Sequence, residues 1–303
     1  MWDKPFSEDN LKEGIKGFAP ETRALLFQKL KGGCSGVFAA EDFADLVKHG
    51  DHPKDKLLDQ FLELASQFSK PVFSNFKVGA VVVGGSGNLY FGTNLEFPGL
   101  PFGYSVHAEQ SSLVMALQQE SKIRAIHINH PPCGHCRQFM LELALDHGFE
   151  TRVVNQAPMA LGDLIPLAFS PADLGQKPWG GRQSHQLKLI NPLAAGDACV
   201  EGAKTAAEWS HAPYSGQWAG IGLLLDDGSV YRGPAIENAA FNPTLGPMQA
   251  ALVSLVLDGK SPARIKRAVL VAPENSGLDY GPYSQQIMTS LGLDVSIETW
   301  VAK

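Results

Sequence analysis

A long internal repeat limits the fold of this chain before any motif is read. Tyr214-Ser215-Gly216-Gln217-Trp218-Ala219-Gly220 echoes Phe73-Ser74-Asn75-Phe76-Lys77-Val78-Gly79. At the same offset Asp227-Gly228-Ser229-Val230-Tyr231 echoes Ser86-Gly87-Asn88-Leu89-Tyr90, and Gly233 and Glu237 fall on Gly92 and Glu96. A period this long means two copies of one domain, not a solenoid. The length of 303 residues likewise favours about two domains.

Strands alternate with helices after an opening hairpin in each copy. This predicts a three-layer α/β/α sandwich with a mixed sheet, duplicated in tandem. Residues 1–48 are expected to form an N-terminal helical arm, because Leu11, Ile15 and Phe18, then Leu25, Leu26 and Leu30, then Phe43, Leu46 and Val47 recur at helical spacing. Residues 49–170 form the first copy. Its predicted elements are a helix ended by Pro71, a strand Val78–Val83, a turn at Gly84-Gly85-Ser86-Gly87-Asn88 and a return strand Leu89–Gly92. A helix from Ala108, a strand Ala125–His130 and a helix capped at Gly148 follow, and Val153-Val154 begins another strand. The stretch Leu161–Gln186, rich in Pro and Gly, is read as an extended loop, with residues 171–188 the linker and 189–303 the second copy.

The chemistry lies in His107-Ala108-Glu109 and Pro132-Cys133-Gly134-His135-Cys136. This H-x-E…P-C-x-x-C pattern is the known signature of zinc-dependent nucleobase deaminases. His107, Cys133 and Cys136 supply three ligands, and catalytic zinc sites keep a fourth position open for water. The two Cys start a helix, where unpaired N–H groups and the helix dipole favour thiolates. Zinc lowers the pKa of its bound water, so hydroxide is available near neutrality. Glu109 is not needed as a ligand and is placed to carry a proton from that water to a ring nitrogen and then to a leaving amine. The reaction this suits is attack at C4 of cytosine with loss of ammonia. Two other readings stay open. A structural zinc site would take a fourth ligand from His135, His130 or Glu109, and a redox pair would use the C-x-x-C alone. In the second copy Gly246 stands at the place of His107, Met248 at that of Glu109, and Gly281 and Ser284 at those of the two Cys. That copy keeps helical periodicity at Leu252, Leu255 and Val256 but has no zinc ligands, so one zinc per subunit is expected.

Four motifs carry a family resemblance: Ser74-Asn75-Phe76-Lys77-Val78-Gly79-Ala80, Thr93-Asn94-Leu95-Glu96-Phe97, His107-Ala108-Glu109-Gln110 and Pro132-Cys133-Gly134-His135-Cys136-Arg137-Gln138-Phe139. With them, nearly the whole chain resembles cytidine deaminases of the long, two-domain, homodimeric bacterial type. The resemblance implies that Phe76 stacks on the pyrimidine and that Asn94 and Glu96 bind the ribose. It implies that the Ala108 N–H donates to O2, that the Pro131 carbonyl accepts from the 4-amino group, and that Phe169 closes over the base. It departs from the family before Pro132, where His130-Pro131 stands. From the residues themselves, Phe76 could equally be core and Glu96 solvated, and Gln110 and Gln138 are read as helix-surface residues.

The expected function is hydrolytic deamination of free cytidine and deoxycytidine in pyrimidine salvage, with a homodimer built through the degenerate copy. The net charge of −6 lacks the footprint of a polynucleotide binder, which sets a polynucleotide cytosine deaminase second. A non-catalytic protein with a structural zinc is the other rival. No apolar run is long enough to span a bilayer, and Met1–Asn10 holds no basic segment before an apolar one, so no membrane partner and a cytoplasmic location are expected. Cys34 and Cys199 are read as buried, inert thiols.

Overall fold

The structure is a computed structural model and describes the chain apart from residues 1, 3, 32, 50–51, 121, 144–148, 178, 180–183, 191–195 and 275–276. The expected cap at Gly148 and the linker residues Pro178, Gly180 and Gly181 lie outside the described residues. The arm comprises α1 (Glu8–Ile15), α2 (Pro20–Leu30), β1 (Val37–Phe38) and α3 (Ala40–His49). The first copy comprises α4 (Lys54–Ser66), β2 (Gly79–Gly84), β3 (Leu89–Thr93), α5 (Ala108–Leu117), β4 (Ile123–Ile128), α6 (Gly134–Glu142) and β5 (Glu150–Val153). β6 (Met159–Ala160) and α7 (Leu161–Leu164) follow it. The second copy comprises α8 (Ala198–Glu208), β7 (Gly220–Leu225), β8 (Val230–Pro234), α9 (Pro247–Leu257), β9 (Ile265–Pro273), α10 (Tyr280–Ser290) and β10 (Ile297–Ala302).

The two sheets run β1-β3-β2-β4-β5-β6 and β10-β9-β7-β8. Their common part has one topology. A hairpin (β2–β3, β7–β8) pairs antiparallel with a third strand (β4, β9), which pairs parallel with a fourth (β5, β10). Even the register slip recurs, between Val83 and Gly84 and between Leu224 and Leu225.

Glycines set the layers. Gly79 lies opposite Thr93 and Gly92 opposite Ala80, so the two glycines face opposite sides of the sheet. A Cβ at Gly79 would come within 2.0 Å of the Leu62 carbonyl oxygen on α4, and one at Gly92 within 2.2 Å of the Ala108 oxygen on α5. The helices therefore rest directly on the sheet, one on each face. Gly220 and Gly233 do the same for α8 and α9, with backbone atoms of Ala207 and Ala251 each 2.1 Å from the added Cβ. The predicted three-layer sandwich is present twice.

α5 is buried along its whole length. A helix that is apolar all round must be covered all round. Its inner face lies on β2 and β3, and α9 of the second copy packs against it. One continuous core joins the arm, the first copy and the second, including Phe18, Phe61, Leu113 and Leu252. The arm is not purely helical: β1 extends the first sheet at β3. β5 ends at Val153 rather than beginning there, and the Pro- and Gly-rich stretch contains α7 and a 3-10 turn at Pro171–Leu174. Cys34 and Cys199 are buried, and burial pushes their thiols up to about 12 and about 11. Among the described residues no helix is long and apolar enough to cross a membrane.

Candidate active site

Two helix starts converge on one point. Gly92 seats α5 on β3, which places His107 as the residue before that helix. β4 delivers the chain to a turn, and Cys133 immediately precedes α6. His107 Nδ1 lies 3.4 Å from Cys133 Sγ and 3.3 Å from Cys136 Sγ, and the sulfurs are 3.6 Å apart. Ligand atoms placed tetrahedrally at ordinary Zn–S and Zn–N lengths would be separated by roughly 3.5–3.8 Å. The triangle fits zinc. Cys133 is drawn down to about 3, first by the hydrogen bond from the Cys136 thiol, and Cys136 is pushed up by the same bond.

Among the described residues these three form the one potential metal group. His135 stacks on the His107 ring at 5.2 Å, and His130 packs against Phe76 at 4.5 Å, so neither joins the ligand set. A three-ligand set matches a site with an open position. Glu109, 4% exposed, lies against Cys136, and burial raises its carboxyl above the usual range.

A cavity of about 330 Å³ opens onto this group, lined in part by Phe76, Asn94, Glu96, Ala108, Glu109 and Pro131. All the proposed base and ribose contacts except Phe169 are brought together there. Phe76 is 50% exposed, so it is a wall and not core. Asn94 Oδ1 accepts from the Val78 N–H (2.9 Å), and its Nδ2 donates to the Phe76 carbonyl (2.9 Å). Glu96 accepts from the N–H groups of Phe73 (2.7 Å) and Ser74 (3.1 Å), fixing a turn whose Asn75 has φ 53°. The second copy repeats this: Glu237 accepts from Tyr214 and Ser215, around Gly216 at φ 69°. Phe169 is outside the cavity lining, and its carbonyl accepts from Gln138 Nε2 at 2.7 Å.

The sequence models of the cytidine and deoxycytidylate deaminase zinc-binding region match residues 52–148 and, in a second form, residues 161–284. A cytidine deaminase of Serratia proteamaculans is 41% identical over 78% of this chain and 80% of its own. The chain belongs to the cytidine deaminase family. A relative from Aliivibrio fischeri, also a cytidine deaminase, is 36% identical over 96% of this chain and 97% of its own. A solved cytidine deaminase from Burkholderia pseudomallei covers 37% of this chain and 97% of its own at 30% identity, with a TM-score of 0.34. Membership makes the chain a zinc-dependent hydrolase. The second family match covers the copy in which Gly246, Gly281 and Ser284 replace the ligands.

Within this cytidine deaminase fold, one residue read as surface is interior and another is half-buried. Gln110 is 1% exposed. Its Oε1 accepts from the His107 N–H (3.2 Å) and its Nε2 donates to the Pro243 carbonyl in the other copy (3.0 Å). Gln249, its counterpart, accepts from the Gly246 N–H (2.8 Å) and donates to the Tyr104 carbonyl (2.7 Å). Tyr104 and Pro243 are counterparts too, so the copies meet across a local two-fold relation. Gln138 is tied twice, through Nε2 to Phe169 and through its carbonyl to Asn238 Nδ2 (3.0 Å). Sequence gave no hint of Glu142. It is 0% exposed on α6, and its carboxylate meets His211 Nε2 (2.7 Å), the Tyr214 hydroxyl (2.8 Å) and the Ala239 N–H (2.8 Å). The helix carrying Cys136 is thereby anchored to the second copy. Arg137 holds the other end, donating to the carbonyls of Pro132 (2.9 Å) and Leu164 (2.7 Å) instead of pairing with a surface acid.

Proposed function

We propose that the chain hydrolyses free cytidine and deoxycytidine to uridine and deoxyuridine with release of ammonia. One observation carries the reading: a buried acid of raised pKa, Glu109, shares a nucleoside-sized cavity with His107 and Cys133, two of the three grouped zinc-ligating residues. Zinc would be held by His107, Cys133 and Cys136 and would supply the Lewis acidity that makes a water nucleophilic. Phe76 offers its ring face to the pyrimidine. The N–H of Ala108, in the first turn of α5 with no intrahelical acceptor, is free to donate to O2. The Pro131 carbonyl takes a hydrogen bond from the 4-amino group. Glu109 takes one proton from the water that adds to C4 and gives it to N3, then takes the other from the hydroxyl now on C4 and gives it to the amine, which leaves as ammonia while C4 becomes a carbonyl. Asn94 and Glu96, fixed by their backbone bonds, keep lone pairs and one N–H for ribose hydroxyls. Among the described residues the cavity lining holds no Lys or Arg and includes the acids Glu96 and Glu109, so a nucleoside fits better than a nucleotide. Phe169 is assigned to a lid over the base.

The domain division at 48, 170 and 188, a homodimer formed through the second copy, and a role in cytoplasmic pyrimidine salvage complete this reading. The decisive experiment is Glu109→Gln. Loss of cytidine turnover by roughly 10²–10⁴-fold, with one zinc per chain and the fold retained, is expected. Unchanged turnover would refute the assignment. Oligonucleotide deaminated faster than free nucleoside would overturn the substrate class, and a monomer by sedimentation would remove the dimer.

A further inference from the structure

A separate cavity, about 490 Å³, lies where the arm, the first copy and the second copy meet. Its lining includes Lys4 from the arm, Lys70 and Lys77 from the first copy, and Lys260 from the second. Among the described residues the lining contains no Asp or Glu. The chain as a whole carries a net charge of −6, so four lysines on one cavity run against its general balance. Ammonium groups facing one cavity repel one another, and that cost falls when an anion lies between them.

The lysines are held by specific contacts. Lys70 is 9% exposed, and its ammonium donates to the Lys4 carbonyl at 2.9 Å, which ties the arm to the first copy. Lys77 Nζ donates to Gln67 Oε1 at 3.1 Å. Lys260 reaches Asp227 at 3.5 Å, and Asp227 is not part of the lining. An ammonium has three N–H donors, so Lys77 and Lys260 keep donors for a ligand. At the positions of Lys70 and Lys77 the second copy has His211 and Trp218. This charge therefore belongs to the copy that carries the metal ligands.

One stretch of chain separates this cavity from the first. Ser74, Phe76 and Val78 line the first, and Asn75 and Lys77 between them line the other. Lys70 makes a further link. Its N–H donates to the Asn94 carbonyl (3.0 Å) and its carbonyl accepts from the Glu96 N–H (3.1 Å), and both partners line the first cavity.

We propose that this lysine cavity binds an anion with two or more linked phosphates, and that its occupancy steadies the wall that carries Phe76. Lysines bind phosphate as point charges, and four of them from three parts of the chain spread their charge over more space than one phosphate fills. A wall already fixed by the anion costs less to order when a nucleoside stacks on it. This second effect rests on reading the first cavity as a nucleoside site, and the binding itself does not.

The test is calorimetric titration of the full-length, zinc-loaded protein with inorganic pyrophosphate, in the wild type and in Lys4→Gln/Lys260→Gln. The variant keeps the Lys4 carbonyl that Lys70 needs, and neither residue lines the first cavity. One site per chain is expected in the wild type, weakened about tenfold in the variant. Cytidine turnover without pyrophosphate should be the same in both. Pyrophosphate should lower the wild-type KM for cytidine about fivefold at constant kcat. Adenosine triphosphate separates the two sources of such an anion. Tighter binding than pyrophosphate assigns a nucleotide, weaker binding a free phosphate chain, and either supports the site. No binding, or equal binding by both proteins, overturns it. Binding with unchanged KM overturns the link to the first cavity. Binding without any cytidine turnover supports the site and counts against the first cavity as a nucleoside site.

Discussion

The two copies share strand order, a register slip, two helix-seating glycines and a Ser–Glu turn, yet only one holds metal ligands. Fold and chemistry therefore rest on different residues. Gly79 and Gly220, Gly92 and Gly233, Glu96 and Glu237, Gln110 and Gln249 are architectural pairs. His107, Glu109, Cys133 and Cys136 have lost their partners. At Cys136 the second copy has Ser284, and at Glu109 it has Met248, both fully buried. The scaffold accepts either set.

The largest test of this division is Cys136→Ala beside Ser284→Ala. The first should lose zinc and all measurable turnover, and the second neither, by metal analysis and cytidine assay. Equal effects would join fold to chemistry again. Gly92→Ala and Gly233→Ala come next. Each forces a methyl against helix backbone, at a cost of about 3 kcal/mol or more by denaturant unfolding. Only Gly92→Ala should raise KM, because only α5 starts at the site.

His127 on β4 has Val269 as its structural counterpart on β9, by their pairing opposite Val81 and Gly222. Burial, helped by Arg152, holds the imidazole down at about 4. The unfolded chain takes a proton near pH 6.5 and the folded chain does not. Stability is therefore full above pH 6.5 and falls as pH drops toward 4, by up to about 3 kcal/mol. His127→Val should flatten that slope in urea unfolding at pH 7 and pH 4.5. Persistence of the full slope would place acid sensitivity elsewhere. The smallest expected effect is from Glu142→Gln, which keeps shape and weakens the charge-assisted bonds. A loss of about 1–2 kcal/mol should accompany faster zinc release to a chelator. Unchanged zinc release would mean that the second copy does not steady α6.

The repeat and the H-x-E…P-C-x-x-C spacing were legible because each depends on order along the chain. The helices of the first copy, α9 of the second and the three ligands were read from such order, whereas α8 was not expected. Gln110 was misread because its burial comes from Pro243 and α9, which no local pattern contains, although Gln249 at the matching position was a usable signal. β1 was too short for any periodicity. Glu142 looked like an ordinary helix carboxylate, and its partners lie from 69 to 97 residues away. Asn94 and Glu96 were placed at the cavity, but their backbone-fixing bonds were not foreseen.

The paired glutamines tie the two copies within this chain together in a pseudo-symmetric pair. Each spends one atom starting its own helix and another closing the opposite half. For an engineer that seam is a natural cut. Two polypeptides made separately would each expose the face of α5 or α9 that the other half now covers. Mixed together, they have a self-addressed surface to find each other, which is the requirement for a split reporter.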